Sequence, residues 1–171
     1  MISPTVALAG IGATLVLLLL SAFFSSSEIA IFSLSAQQVD TLAATDSTDG
    51  RLLEELRNDP HRLLVTLLVG NNIVNIAISS IITVLVVSYV PAGTAVVVTT
   101  LVTSLVILIF GEIVPKAFGL GNAETWSLRV VGPIRLVERA LSPVITVLEA
   151  ITGRLNTLLS GDPEIEKPYI E

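Results

Sequence analysis

"LLVTLLVGNNIVNIAISSIITVLVVSYVPAGTAVVVTTLVTSLVILIF", residues 63–110, contains no Asp, Glu, Lys or Arg. A membrane helix needs roughly 20 mostly apolar residues, so the stretch is long enough for two passes. "SYVPAG" (Ser88–Gly93) interrupts it with Pro91 and Gly93, and Tyr89 can anchor at an interface. So short a break predicts a tight helical hairpin, with spans at approximately 62–90 and 92–118. Upstream, the apolar run Thr5–Phe24 continues through "SAFFSSSEIAIF" (Ser21–Phe32), giving a first span over approximately 5–32. A signal peptide is the competing reading of this run, but a positively charged leader is missing.

Composition agrees. The chain has 171 residues, 52% hydrophobic and 14% charged, whereas soluble domains carry roughly a quarter charged residues. The reading is an all-α membrane protein of one domain. Cys is absent and His61 is the only histidine, which excludes disulfide frameworks, Cys/His zinc sites and thiol catalysis. A net charge of -6 without a basic, aromatic-interleaved cluster argues against nucleic acid as a partner. The partner is the lipid bilayer.

Orientation follows from Lys and Arg. Arg51, Arg57 and Arg62 lie between span one and the start of span two, and the remaining six, from Lys116 on, lie at or beyond the end of span three. Three passes put all nine on one side, the cytoplasm, with the N-terminus outside. "GRLLEELRNDPHRLL" reads as a short helix ending near Asn58–Pro60, with Asp59 opening span two. The acidic residues Asp46, Asp49, Glu54, Glu55 and Asp59 read as a solvated face, with a metal-sensing surface as the alternative. Residues 123–160 are apolar but carry Arg129, Arg135, Glu138, Arg139, Glu149 and Arg154. "GP" at 132–133 and "SP" at 142–143 predict several short juxtamembrane amphipathic helices, Ser142 capping the last. A fourth span over 140–159 would bury Glu149 near its middle. Residues 161–171 read as the start of a linker.

Polar side chains inside spans are expensive and point to function by default. Ser21, Ser25 and Glu28 share one face of span one. Serines that bond back to the helix and ease packing are the structural alternative. In span two, "GNNIVNIAISS" carries Gly70, Asn71, Asn72, Asn75, Ser79 and Ser80. Asn71 and Asn75 share a face, and Asn72, Asn75 and Ser79 form a second stripe. Asn serves equally as an oxygen ligand and as interhelical glue. In span three, "FGEIVPKAFG" places Pro115 four residues after Gly111. In an α-helix the proline deprives the Gly111 carbonyl of its donor, beside the carboxylate of Glu112. The plainer reading is a kink with Glu112 paired to Lys116. Together these groups are all oxygen donors, which suits hard cations: Mg2+, Ca2+ or Na+. The spans hold no His, no Asp and no HExxH-like motif, so an intramembrane enzyme is not expected.

"SAFFSSSEIAIFSLS", "LLVGNNIVNIA" and "FGEIVPKAF" resemble, in order and spacing, the signatures of the DUF21 membrane domain. This is the membrane part of the CorB/CorC magnesium transporters, whose animal relatives are the CNNM (cyclin M) proteins. The likeness runs from about Leu8 to Leu159. Ser26 departs from it, standing where the family often has glycine. The resemblance implies three membrane helices with a cytoplasmic-side belt of juxtamembrane helices, a homodimer, and a multi-pass protein of the cell membrane. It implies Mg2+ export, proposed to be driven by Na+ entry, through a site holding dehydrated Mg2+. Carried over, the ligands are Ser21, Ser25, Asn71, Glu112 and the Gly111 carbonyl. Gly70, Asn72, Asn75, Glu28 and Pro115 are second-tier ligand or gating residues. Family members usually continue into a cytosolic CBS-pair module that binds adenine nucleotide. A Mg2+-binding scaffold that regulates another transporter is the alternative function.

Overall fold

A computed structural model describes residues 2–45 and 47–159. Asp46 and the linker 161–171 therefore lie outside the described residues. The described chain is helical: α1 Pro4–Ser33, α2 Ala36–Ala44, α3 Thr48–Asn58, α4 Pro60–Val87, α5 Ala92–Val106, a π-helical segment Ile107–Ile113, α6 Val114–Gly121 and α7 Ala123–Leu159. Three helices are long and apolar enough to cross a membrane: Pro4–Ser33, Pro60–Val87 and Gly93–Gly121. Their outward faces carry a belt of exposed aliphatics such as Leu8, Leu19, Ile76, Leu101 and Leu105. Such a belt is stable only in lipid.

Local chemistry sets the boundaries. Ser35 and Gln38 form a capping box at the start of α2. The Asp59 carboxylate accepts the Arg62 N–H at 3.0 Å, and Pro60 opens α4 where its missing N–H is harmless. The hairpin turn between α4 and α5 falls at Ser88–Pro91, as its proline requires. Arg57 closes the end of α1. Its Nη2 donates to the Leu34 carbonyl at 3.2 Å and its guanidinium lies over the Phe32 ring.

α7 corrects the expectation of several short helices. It is one helix of 37 residues with Pro133 and Pro143 inside it. Each interior proline costs about 3 kcal/mol. Val130, Val131, Ile134 and Ile145 on its inner face are 0–1% exposed. Each such burial contributes about 1.5–3 kcal/mol, enough to carry the helix through both breaks. Ser142 accordingly caps nothing; its hydroxyl accepts from Arg62 Nη2 at 2.9 Å. That contact belongs to a charge network joining α7 to α3 and α4. Arg62 donates to Glu138 at 2.7 Å and reaches Glu149 at 3.4 Å. Arg135 donates to Glu138 at 2.8 Å and to Glu55. The hydrogen bond to Glu138 raises Arg135 above its ordinary pKa, against the opposing effect of burial. Glu149 thus sits in an ion network, and α7 is not among the three helices fit to cross a membrane.

Ser26 anchors the other end of α7. The Trp126 indole N–H donates to its hydroxyl at 3.0 Å, and the Trp126 ring stacks edge-on against Phe118. Ser26→Gly should leave this N–H without a partner and cost about 1–2 kcal/mol. Trp126 is the only tryptophan, so its emission reports the change directly. An unaltered emission maximum and an unaltered melting temperature would show that the anchor contributes nothing.

Candidate functional site

Ser21 stands where the three spans meet. It is fully buried on α1. Its Oγ lies 3.1 Å from Asn71 Oδ1 and 2.8 Å from Asn75 Oδ1, both on α4. These two asparagines are four residues apart and therefore share a helix face. On the third side lies Gly111. A Cβ built there would sit 2.7 Å from Ser21 Oγ, so a side chain at 111 would displace the hydroxyl from its present place. Glycine leaves the hydroxyl room against the backbone.

The chemistry of this meeting is unbalanced. A serine hydroxyl has one proton to donate. Two amide oxygens face it, so one proton is shared between two acceptors. One turn along α1, Ser25 is also fully buried, and its Oγ has no hydrogen-bond partner. Leaving such a hydroxyl unsatisfied costs about 1–3 kcal/mol. The neighbouring Ser26 and Ser27 both donate to the Phe23 carbonyl. Ser25, on the face with Ser21, does not take this local exit. Converging oxygen lone pairs beside an unpartnered hydroxyl make an arrangement able to receive a hard cation.

The third span reaches the site through its π-helical segment. Val114 N–H bonds to the Ile109 carbonyl, five residues back. Widened turns of this kind recur at functional sites. The segment ends where Pro115 would otherwise press on the carbonyl four residues earlier. In the five-residue register the donor missing at Pro115 is the one owed to Phe110. The expectation of an α-helical register here is corrected, and the place of Gly111 rests on its contact with Ser21. Glu112 follows directly, its Cα about 3.8 Å from that of Gly111. Its side chain is half-buried, and no described hydrogen bond or ion pair engages it. Lys116 does not pair with Glu112. Its Nζ lies 3.2 Å from Glu28 Oε2, so Glu28 is held in an ion pair with Lys116.

The remaining candidates separate. Gly70 is buried and admits the Phe24 ring, which would lie 2.7 Å from an added Cβ, so its role is packing. Asn72 is exposed on the opposite side of α4 from buried Val74 and does not join Ser21. Pro115 is buried behind the site and lines an apolar cavity with Phe23, Phe110 and Trp126. Asn75 makes the shorter of the two contacts with Ser21. Spacing alone did not rank it above Asn71, because both lie on the same face. Among the described residues, no group of three or more His, Cys, Asp or Glu could hold a metal ion. Two residues of the acidic loop are engaged elsewhere: Glu55 pairs with Arg135 and Asp59 caps α4.

The Cyclin M transmembrane N-terminal domain model matches residues 12–171. A chloroplastic DUF21 domain-containing protein of Arabidopsis thaliana is 35% identical over 91% of this chain and 23% of its own length. The UPF0053 inner membrane protein YfjD of Escherichia coli is 29% identical over 85% of this chain and 34% of its own length. A UPF0053 protein of Haemophilus influenzae is 31% identical over 91% of this chain and 37% of its own length. The chain thus spans about a quarter to a third of these relatives. With three membrane-length helices and a family match over nearly its whole length, the chain is a multi-pass membrane domain and belongs to the cyclin M (CNNM, DUF21) transmembrane domain family.

Proposed function

We propose that this domain carries Mg2+ out of the cytoplasm across the cell membrane, by alternating access at the Ser21 site and coupled to Na+ entry. The observation that carries the reading is the meeting of buried Ser21 and Gly111 with half-buried Asn71 and Asn75, which draws on all three spans. An octahedral ion with ligands at about 2.0–2.1 Å sets neighbouring oxygens about 2.9 Å apart. The contacts at 2.8 and 3.1 Å bracket that spacing. An octahedral Ca2+ at about 2.3–2.6 Å would require about 3.3–3.7 Å, and the helices would have to part. Mg2+ would therefore take the place of the two hydrogen bonds with little movement of the oxygens, binding a lone pair of the Ser21 hydroxyl, which keeps its proton and turns it away. Ser25 offers a further neutral ligand and Glu112 the charge that the site lacks. Na+ would return over an overlapping set of oxygens. The working unit is a homodimer, regulated by an adenine-nucleotide-binding CBS-pair module elsewhere in the full protein.

Flux measured in proteoliposomes tests this. Wild-type protein should move Mg2+ at a rate that rises with an opposing Na+ gradient. Glu112→Gln and Asn71→Ala should each reduce it at least tenfold. Flux unchanged in both variants would place the ion elsewhere. No flux from the wild type would leave the regulatory scaffold as the better reading.

A further inference from the structure

The outer half of the α4–α5 hairpin contains hydroxyl groups that the site described above does not use. On α5, Ala95, Thr99 and Thr103 repeat every four residues and are 0%, 8% and 5% exposed. They form the buried stripe of α5. The Thr99 and Thr103 hydroxyls are buried and have no partner. This is unusual for this chain. Thr14, Thr66, Ser79, Ser80, Thr83 and Thr100 all bond back to the carbonyl four residues earlier. Thr99 and Thr103 have the same local option and leave it unused.

A matching stripe runs along α4. Ser79 Oγ donates to the Asn75 carbonyl and Thr83 Oγ1 to the Ser79 carbonyl. Asn75, Ser79 and Thr83 thus lie one above another, starting at the residue in contact with Ser21. Eight residues of helix carry this line about 12 Å toward the outer end of the span. There, Thr83, Thr99 and Thr100 line a cavity of about 140 Å³ together with Val87 and Ala95. The cavity lies within a turn of the end of α4 at Val87.

We infer that this hydroxyl-lined seam between α4 and α5 is the outward route of the cation, with Thr103 and Thr99 as its intermediate oxygens. The inference rests on the transport reading and assigns the path between the Ser21 site and the outside. Neutral hydroxyls suit that task, since they replace part of a hydration shell without holding the ion as a carboxylate would. An unused hydroxyl on each turn is what a passing ion needs. Packing alone would be served equally well by valine, which has the same shape.

Two measurements decide it separately. The chain has no cysteine, so Thr99→Cys introduces a single thiol. A charged, membrane-impermeant thiosulfonate added from outside should modify Thr99→Cys at least tenfold faster than Val97→Cys, whose side chain is 58% exposed toward lipid at similar depth. Mg2+ should slow the reaction. Equal rates at the two positions would overturn the route, whether or not the protein transports. In flux, Thr99→Val with Thr103→Val should lower Mg2+ transport at least tenfold, and the corresponding serine pair should recover most of it. A valine pair within twofold of wild type would also overturn the route. Absence of flux from the wild type would defeat the transport reading alone, and thiol labelling would still decide whether the seam admits water and ions.

Discussion

Ser21→Ala should abolish Mg2+ flux, by at least a hundredfold, while leaving the protein folded. The substitution removes one oxygen and adds no bulk. The protein loses contacts of 3.1 and 2.8 Å to Asn71 and Asn75. Interhelical hydrogen bonds inside membranes are worth about 0.6–2 kcal/mol, so the stability loss should be of that order. The effect on the ion is larger. Mg2+ gives up water reluctantly and demands near-ideal octahedral oxygen. Ser21 contacts both asparagines and lies against Gly111, where an added Cβ would meet its hydroxyl. Without its oxygen an apolar methyl occupies the middle of the ligand set. Flux in proteoliposomes, Mg2+ titration by calorimetry and thermal melting should be run on the same preparation. Flux within threefold of wild type, in a protein that melts normally, would remove Ser21 from the site. A Ser21→Thr variant guards against an effect of packing alone, because it keeps the oxygen while adding a methyl beside Gly111.

Much of this arrangement is legible in the sequence because membranes simplify the code. A stretch of 63–110 without charge can only be apolar helix, and Pro91 with Gly93 can only divide it. Ser21, Asn71 and Gly111 stand out in the sequence as polar or small residues within apolar helices, but nothing in the sequence shows that they converge. Periodicity does not tell which neighbours on one face point at each other. That is why Asn75 ranks with Asn72 in the sequence, although only Asn75 reaches Ser21. The π-helical register is hidden too, because it depends on how Gly111 seats against α1 as well as on Pro115. Ser26 reads as an idle neighbour until Trp126, 100 residues later, donates to it. The break of α7 at Pro133 and Pro143 follows local propensity, and tertiary burial overrides it. Thr99 and Thr103 do not stand out among the threonines of span three in the sequence. Only their unpartnered hydroxyls distinguish them from ordinary packing threonines.

The charge network joining α7 to α3 and α4 yields the largest expected effect on stability. Glu138 is 6% exposed and holds two arginines at once, Arg62 at 2.7 Å and Arg135 at 2.8 Å. Removing one partner of a buried ion pair costs about 3–5 kcal/mol, chiefly because the opposite charge is left unpaired. Arg62 and Arg135 each keep about a quarter of their side-chain surface in solvent, which screens part of that penalty. Glu138→Ala should therefore destabilise the protein by about 2–4 kcal/mol. For a chain of this size that is a fall in melting temperature of roughly 5–15 °C. Glu149→Ala is the internal comparison. Its contact with Arg62 is longer, at 3.4 Å, and 27% exposed, so its loss should cost less than about 1 kcal/mol. The ordering has a structural reading, because Glu138 ties α7 to α4 through Arg62 and also holds Arg135, the residue of α7 that pairs with Glu55 on α3. Without it, α7 should lift from the bundle, and trypsin should cleave after Arg135 and Arg139 faster than in the wild type. Equal melting temperatures for the two variants would mean that α7 is held by its buried aliphatics alone, and that the network adds orientation without adding stability.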